Sequence, residues 1–276
     1  MANDVFAGTA EYYARYRVDY PPALYDLARE RFGLDAEPRG TLLDLGTGTG
    51  FIALELARHF EHVVGIDVDG EMLRYAAEGA QARGVTNVSW RHMPAEEFTS
   101  LDGTEDGAPY RLVSAGSAFH WMDQARILEA LKPRLEPGGG VLLAGLPGFI
   151  SIDDAKQTDP LSEVIMPVVR KYLGEQRRAG SGTYSPPKKR WEDFLAEAGY
   201  QEIEVGYVPF TVEFDLDGVV GLLYSTSFAN RRLLGDRVDA FEQDLRAAVL
   251  AFEPSGRYQR SYEAEWVLAK WSGQRG

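Results

Sequence analysis

Residues 41–50 read TLLDLGTGTG, and this stretch decides the fold. The apolar pair Leu42-Leu43 leads into Asp44, and glycine then takes every second place, at Gly46, Gly48 and Gly50. The following FIALELARHF (51–60) combines helix-forming composition with apolar residues at helical spacing. The local pattern is therefore strand, glycine turn, helix. Glycine is needed where a backbone takes positive φ or lets a ligand lie against it. A turn at the carboxyl edge of a parallel strand is also where open α/β sheets bind ligands. An ordinary βα loop would carry the same glycines, so the next strand has to discriminate.

That strand reads HVVGID (62–67), apolar at Val63, Val64 and Ile66 and acidic at its end, Asp67. Asp67 stands about twenty residues beyond Gly46, where a carboxylate can accept hydrogen bonds from both hydroxyls of a ribose. Nicotinamide dehydrogenases and class I S-adenosylmethionine (SAM) methyltransferases share this plan. Dinucleotide binders use G-x-G-x-x-G, whose later glycines let a pyrophosphate reach a helix N-terminus. Here the spacing is G-x-G-x-G, and Phe51 occupies the place of the third glycine, where its ring would obstruct a pyrophosphate. Asp44-x-Gly46-x-Gly48-x-Gly50 followed by the acidic strand end resembles the first motif of the class I methyltransferases. The resemblance is good over residues 41–147 and weaker over both flanks.

Composition bounds the function classes. The 276 residues suffice for one large domain with an insertion or for two small ones, and a hydrophobic content of 45% allows a sizeable core. Lysine and arginine total 29 against 42 acidic residues, a net charge of −13. Such a chain repels polyphosphate, so a neutral or cationic small molecule is expected as partner rather than nucleic acid. The absence of cysteine excludes disulfides, thiolate nucleophiles and cysteine-ligated metals. The opening MANDVFAGTAEYYARYR does not resemble a signal peptide, and no stretch approaches the roughly 20 apolar residues that span a bilayer. A soluble, cytoplasmic protein without a membrane partner is expected, with no metal site.

In chain order, the YYARYR segment (12–17) brings Tyr12, Tyr13, Arg15, Tyr16 and Arg17 together, and Tyr20 follows. Pro21-Pro22 opens a helix that buries Leu24, Leu27 and Phe32. The resemblance implies that YYARYR is a lid over the cofactor, with Tyr12 touching it and Arg17 pairing with the methionyl carboxylate, as guanidinium suits carboxylate. Packing on the domain edge is the alternative for these tyrosines. After Asp67 and Val68, a helix runs to Gly84 with Met72 in its first turn; that thioether either packs on the adenine or lies in the core. NVSWRHMPAEEF (87–98) is the third strand and its loop. Pro94-Ala95-Glu96 falls where the family commonly flanks the adenine with an acidic residue and Ala; Pro94 replaces the acidic residue, leaving Glu96 or the backbone for the adenine amine. The polar loop 99–109 follows.

YRLVSAGSAFHWMD (110–123) is the fourth strand and its exit, with Asp123 capping the next helix through Ile127, Leu128 and Leu131. The segment resembles the A-x-H-W-F-D segment of small-molecule and carboxylate methyltransferases. His120 lies just beyond the strand's carboxyl end, and imidazole titrates near neutrality, at about 6.5 when unperturbed. It is expected to take a proton from the acceptor or to position it, with Trp121 walling the pocket. The cofactor-binding set implied by the resemblance is Asp44, Gly46, Thr47, Gly48, Asp67, Val68, Met72, Pro94, Ala95, Glu96 and Gly116, joined by Tyr12 and Arg17.

Pro137-Gly138-Gly139-Gly140 predicts a tight turn into an apolar strand, 141–146. Asp159-Pro160 starts a helix expected to be interrupted at Pro167, and GEQRRAGSGTYSPPKKR (174–190) reads as basic loop. Then come a helix with Trp191, Phe194, Leu195 and Ala198 ended by Gly199, a long strand from Gln201, a helix capped by Asp215, another capped by Asp236, and a closing strand in YEAEWVLAKW (262–271).

The expected fold is α/β: a doubly wound, Rossmann-like, mostly parallel seven-stranded sheet with helices on both faces. The resemblance implies an antiparallel last strand. One domain is expected over 1–276, divided into an N-terminal lid (1–37), a SAM-binding core (38–147), a helical cap insertion (148–187) and a return to the sheet (188–276). The implied reaction is in-line transfer of the SAM methyl to a hydroxyl or carboxylate oxygen of a small molecule. A nicotinamide oxidoreductase and a SAM-binding protein without turnover remain the alternatives.

Overall fold

The computed structural model describes residues 5–35, 37–101, 106–146, 160–176, 178–180, 182–183 and 189–272. The chain folds as two compact units, each built from three segments. One comprises residues 1–18, 147–186 and 209–262; the other comprises 19–146, 187–208 and 263–276. Much of the cap expected over 148–187, namely 148–159, 177, 181 and 184–187, lies outside the described residues, as do 102–105 of the polar loop.

The elements run α1 (Ala10–Tyr16), α2 (Pro22–Phe32), β1 (Thr41–Leu45), α3 (Phe51–Leu56), β2 (His62–Asp67), α4 (Gly70–Arg83), β3 (Val88–His92), β4 (Tyr110–Gly116), α5 (Gln124–Leu131) and β5 (Leu135–Gly145). Then follow α6 (Pro160–Leu173), the two-residue strands β6 (Arg178–Ala179) and β7 (Gly182–Thr183), α7 (Trp191–Glu197), β8 (Gln201–Asp215), α8 (Leu216–Tyr224), α9 (Arg231–Leu234), α10 (Val238–Phe252) and β9 (Arg257–Lys270).

Seven strands form one sheet in the order β3-β2-β1-β4-β5-β9-β8. β1 pairs in parallel with β2 and β4, β2 with β3, and β4 with β5. β9 pairs antiparallel with β5, Gly140 facing Lys270 and Gly145 facing Glu265, so the antiparallel last strand is as expected. The central strands are near-continuous apolar runs, and all five residues of β1 are buried, as a strand covered on both faces requires. In the larger unit, Leu43, Val64, Val113 and Leu143 of the sheet share one core with Ile127 and Leu128 of α5 and Leu195 of α7. In the other unit, Ile165 and Val169 of α6 pack with Val219 and Leu223 of α8 and Phe241, Leu245 and Val249 of α10.

Three expectations need correction. Pro137–Gly140 is not a turn ahead of the strand but lies inside β5. Tyr110 pairs with Leu135 and Leu112 with Gly140, so the intervening residues bulge out of the ladder, with Gly138 at φ +79°. Pro167 does not interrupt α6, which runs unbroken from Pro160 to Leu173. Its apolar face, Leu161, Ile165, Met166, Val169 and Leu173, is buried, and that burial outweighs the lost backbone hydrogen bond. Asp236 does not cap α10; it sits in a short 3-10 turn, Gly235–Arg237, that feeds the helix directly. Asp123 and Asp215 do cap as expected, accepting the backbone N–H groups of Arg126 and Gly218.

Candidate functional site

The glycine turn leaves β1 with Gly46, Gly48 and Gly50 at φ +65°, +56° and +87°. A side chain in that region costs roughly 1–2 kcal/mol. At Gly46 the cost would be compounded, because an added Cβ would lie 2.5 Å from Ala118 Cβ and 3.0 Å from Met122 Cε. The turn is laid against the end of β2: Thr47 N–H donates to Ile66 O and Gly50 N–H to Thr47 O, both at 2.9 Å. From behind, the indole of Trp90 lies over Gly65 of the neighbouring strand; a Cβ there would meet Trp90 Cε3 at 2.5 Å and Thr47 Cγ2 at 3.0 Å, and one at Gly50 would meet Trp90 Cη2 at 3.1 Å.

Two carboxylates face this turn. Asp67 accepts Gly48 N–H on Oδ2 at 2.8 Å and Asp69 N–H on Oδ1 at 2.9 Å. Burial pushes its pKa up, and the backbone donors of Asp69 and Gly48 oppose that. A carboxylate has about four lone-pair positions, so each oxygen of Asp67 can accept one further hydroxyl. Asp44 is 1% exposed and accepts Thr47 Oγ1–H on Oδ2 and Ser114 Oγ–H on Oδ1, each at 2.6 Å. Burial pushes the Asp44 carboxyl up to about 6 against these two hydroxyls, with the charge of Asp67 adding to the rise. Asp44 thereby ties β1, the turn and β4 to one another. Thr49 Oγ1, within the turn, is buried without a hydrogen-bond partner among the described residues, a condition that a bound polar group relieves.

The other expected residues differ in exposure and in partners. Val68, 39% exposed, presents an apolar side chain directly after Asp67, and its carbonyl is held by His92 Nε2 at 2.9 Å. Met72, 3% exposed, and Ala95, 6% exposed, are core residues that offer a ligand little surface. Pro94 is half-buried and accepts Glu97 N–H on its carbonyl, while Glu96 Oε1 accepts Asp123 N–H at 2.9 Å and so is tied to the start of α5. Gly116 closes β4, where an added Cβ would lie 2.9 Å from both Ile52 Cδ1 and Tyr20 Oη.

His120 and Trp121 lie in a 3-10 turn, Phe119–Trp121, directly after β4. Their rings are 4.7 Å apart at 45°, and both are half-buried. Phe119, 1% exposed, anchors the turn, and its carbonyl accepts Gln124 Nε2–H at 3.1 Å. Ala118 and Met122, the residues that crowd Gly46, bracket His120 and Trp121 in sequence. The turn carrying the imidazole is thus set beside the glycine turn. Tyr12 and Arg17 belong to the smaller unit. There Tyr12 stacks on Tyr16 and meets Tyr224 edge-on at 5.2 Å, and the Arg17 guanidinium lies 5.2 Å from the Tyr13 ring centre. Sequence reasoning gave no role to Ser114, Thr49 or Trp90 and did not single out Ser117, a non-glycine residue at φ +52°.

Residues 42–139 match the methyltransferase-domain family. Over these residues the chain is similar to that family. The match ends at Gly139, within β5, and spans the glycine turn, Asp67 and the His120 turn. Among curated relatives, the methyltransferase gedG of Aspergillus terreus is 30% identical over 159 residues, 56% of this chain and 47% of its own length. The ubiquinone biosynthesis O-methyltransferase of Acinetobacter baylyi is 32% identical over 104 residues, 37% of this chain and 42% of its own. The chain thus spans less than half the length of these two relatives. Among solved structures, the phosphoethanolamine N-methyltransferase 2 of Haemonchus contortus, with phosphomonomethylethanolamine and S-adenosylhomocysteine, resembles this chain with a TM-score of 0.53 at 16% identity, over 98% of this chain and 60% of the other. That likeness is one of fold. Among the described residues, no helix is long and apolar enough to cross a membrane.

Proposed function

We propose that this protein is a SAM-dependent methyltransferase acting on an oxygen of a small molecule. One observation carries the reading: Asp67 is pinned by Gly48 N–H and Asp69 N–H with acceptor capacity to spare, opposite a glycine turn that the His120 turn abuts. The residues present fit a sulfonium nucleoside. Asp67 would hold the two ribose hydroxyls, Val68 would pack on the base beside Pro94, and the Gly46–Gly50 backbone would let the methionyl portion lie against it. The orphaned Thr49 hydroxyl adds a polar group for the ligand to satisfy.

When bound, SAM supplies a methyl group already activated on sulfur. The chain's own work is alignment, exclusion of water and proton handling. Alignment of reacting groups alone can contribute roughly 7–11 kcal/mol. His120 Nδ1 or Nε2 takes the proton of an acceptor hydroxyl, and Trp121 walls the acceptor's place with a flat apolar face. A carboxylate acceptor needs no base, and there His120 only positions the oxygen. The name of the Acinetobacter relative, an O-methyltransferase, favours oxygen as the acceptor atom.

The test has two stages. Titration calorimetry with S-adenosylhomocysteine should give saturable binding that Asp67→Ala weakens by at least about a hundredfold, since each hydrogen bond to a charged group is worth about 1.5–3 kcal/mol. Mass spectrometry of small hydroxy and carboxy compounds incubated with SAM should then find a gain of one methylene. Binding without any methylated product would instead favour a SAM-binding protein without turnover, and NADH consumption would favour an oxidoreductase.

A further inference from the structure

Tyr20 precedes the two prolines that open α2 and is 6% exposed. Its hydroxyl lies 3.0 Å from Ser117 Oγ and donates to Ala144 O at 3.4 Å. Ser117 closes the arrangement from its own side: its N–H donates to the same Ala144 O at 2.7 Å, and its Oγ accepts Leu146 N–H at 3.2 Å. One phenol therefore bridges the carboxyl ends of β4 and β5. Tyr20 is itself fixed, because Asp19 Oδ1 accepts both the Tyr20 N–H at 2.6 Å and the Tyr25 hydroxyl at 2.8 Å. It also approaches Gly116 so closely, together with Ile52 of α3, that no Cβ would fit there.

Ser117 holds φ +52°, a conformation that side chains adopt only when their surroundings over-determine it. Here the surroundings are those four hydrogen bonds. The backbone leaves Ser117 for Ala118, which packs against Gly46, and then for His120 and Trp121. The direction in which the chain exits β4 is set at Ser117, and everything the His120 turn presents depends on it.

We propose that Tyr20 is a positioning residue of the reaction: through Ser117 it fixes the exit of β4 and thereby aims His120 at the acceptor. The proposal rests on the methyltransferase reading for its chemistry and on the Tyr20–Ser117–Ala144 geometry for its mechanics. Losing the phenol leaves Ser117 free to relax to negative φ, which swings the following turn. The methionyl side of the site, built on β1 and β2, keeps its own hydrogen bonds.

Tyr20→Phe keeps the ring and removes the oxygen; Ser117→Gly keeps the left-handed backbone and removes the hydroxyl. Three measurements on the full chain separate the outcomes: calorimetry with S-adenosylhomocysteine, amide hydrogen exchange, and steady-state methyl transfer. In Tyr20→Phe, exchange at Ser117, Trp121 and Met122 should quicken at least tenfold while that at Thr47 and Gly50 is unchanged. S-adenosylhomocysteine affinity should stay within twofold. The turnover number should fall about tenfold at unchanged KM for SAM, with no further loss when Ser117→Gly is added, because both remove one device. Unchanged exchange at 117–122, exchange raised equally throughout β1 and β2, or losses that multiply in the double variant would each overturn the proposal. Failure of the wild-type protein to bind S-adenosylhomocysteine would overturn the methyltransferase reading instead, and the exchange data would still judge the clamp.

Discussion

Asp44 holds two hydroxyls at 2.6 Å in a site that excludes water, and its carboxyl is pushed up to about 6 from an ordinary value near 3.8. A folded-state value above the unfolded one means that the native protein binds the extra proton. The stability linked to Asp44 is fully present below pH 3.8 and is lost as pH rises through about 6. At pH 8 the buried charge costs roughly 3 kcal/mol, at about 1.4 kcal/mol per unit. Asp44→Asn, an isostere without the charge, should unfold at higher denaturant than the wild type at pH 8, with the gain shrinking towards zero at pH 4. Urea titrations of both proteins across that range check the sign. At this scale the sequence was legible where chemistry leaves few choices: three positive-φ positions filled by glycine, and a carboxylate at the end of β2. Ser117 was not legible, because serine carries no mark of positive φ, and its partners Tyr20 and Ala144 stand 97 residues upstream and 27 residues downstream. Met72, read from its place in the first turn of α4 as either an adenine contact or a core side chain, is 3% exposed.

Elements meet where side chains are missing. Gly65 lets the Trp90 indole lie across β2 and support the glycine turn from behind. Gly65→Ala should push that ring into Thr47 and Gly50; S-adenosylhomocysteine affinity is expected to fall about tenfold or more, with a shifted tryptophan emission as the accompanying signal. In the smaller unit, Gly221 of α8 accepts the Tyr16 ring of α1 so closely that a Cβ would occupy the ring's own place. Overpacking of this kind costs about 1–3 kcal/mol, and Gly221→Ala should lower the thermal midpoint accordingly in a calorimetric scan. Helices and strands were legible from periodicity almost throughout, since β2, β4 and α4 coincide with their apolar patterns. Two of the three misreadings share one cause. Local breakers at Pro137–Gly140 and Pro167 signal interruption, but pairing of Leu135 with Tyr110, and burial of one α6 face, act over distances that neighbouring residues do not encode.

For the whole molecule, charge and ligand linkage set the expectations. A net charge of −13 works against compactness, so screening should raise stability. Scans in rising sodium chloride should show the thermal midpoint climbing by a few degrees before it levels off. Saturation with S-adenosylhomocysteine at a hundred times its dissociation constant should add about 2.7 kcal/mol, whatever the nature of the acceptor. The places where β8 and β9 pass from one unit to the other were out of reach of the sequence, because no composition shift marks them.

The sheet order has one outcome for how the protein is made. β8 touches the sheet only through β9, which leaves the ribosome more than forty residues later. Until β9 slots in beside β5, the fifteen residues of the nascent β8 have no strand of the sheet to pair with. Glu202, Glu204 and Pro209 along β8 suit such a wait: charges and a missing N–H discourage adhesion to other chains.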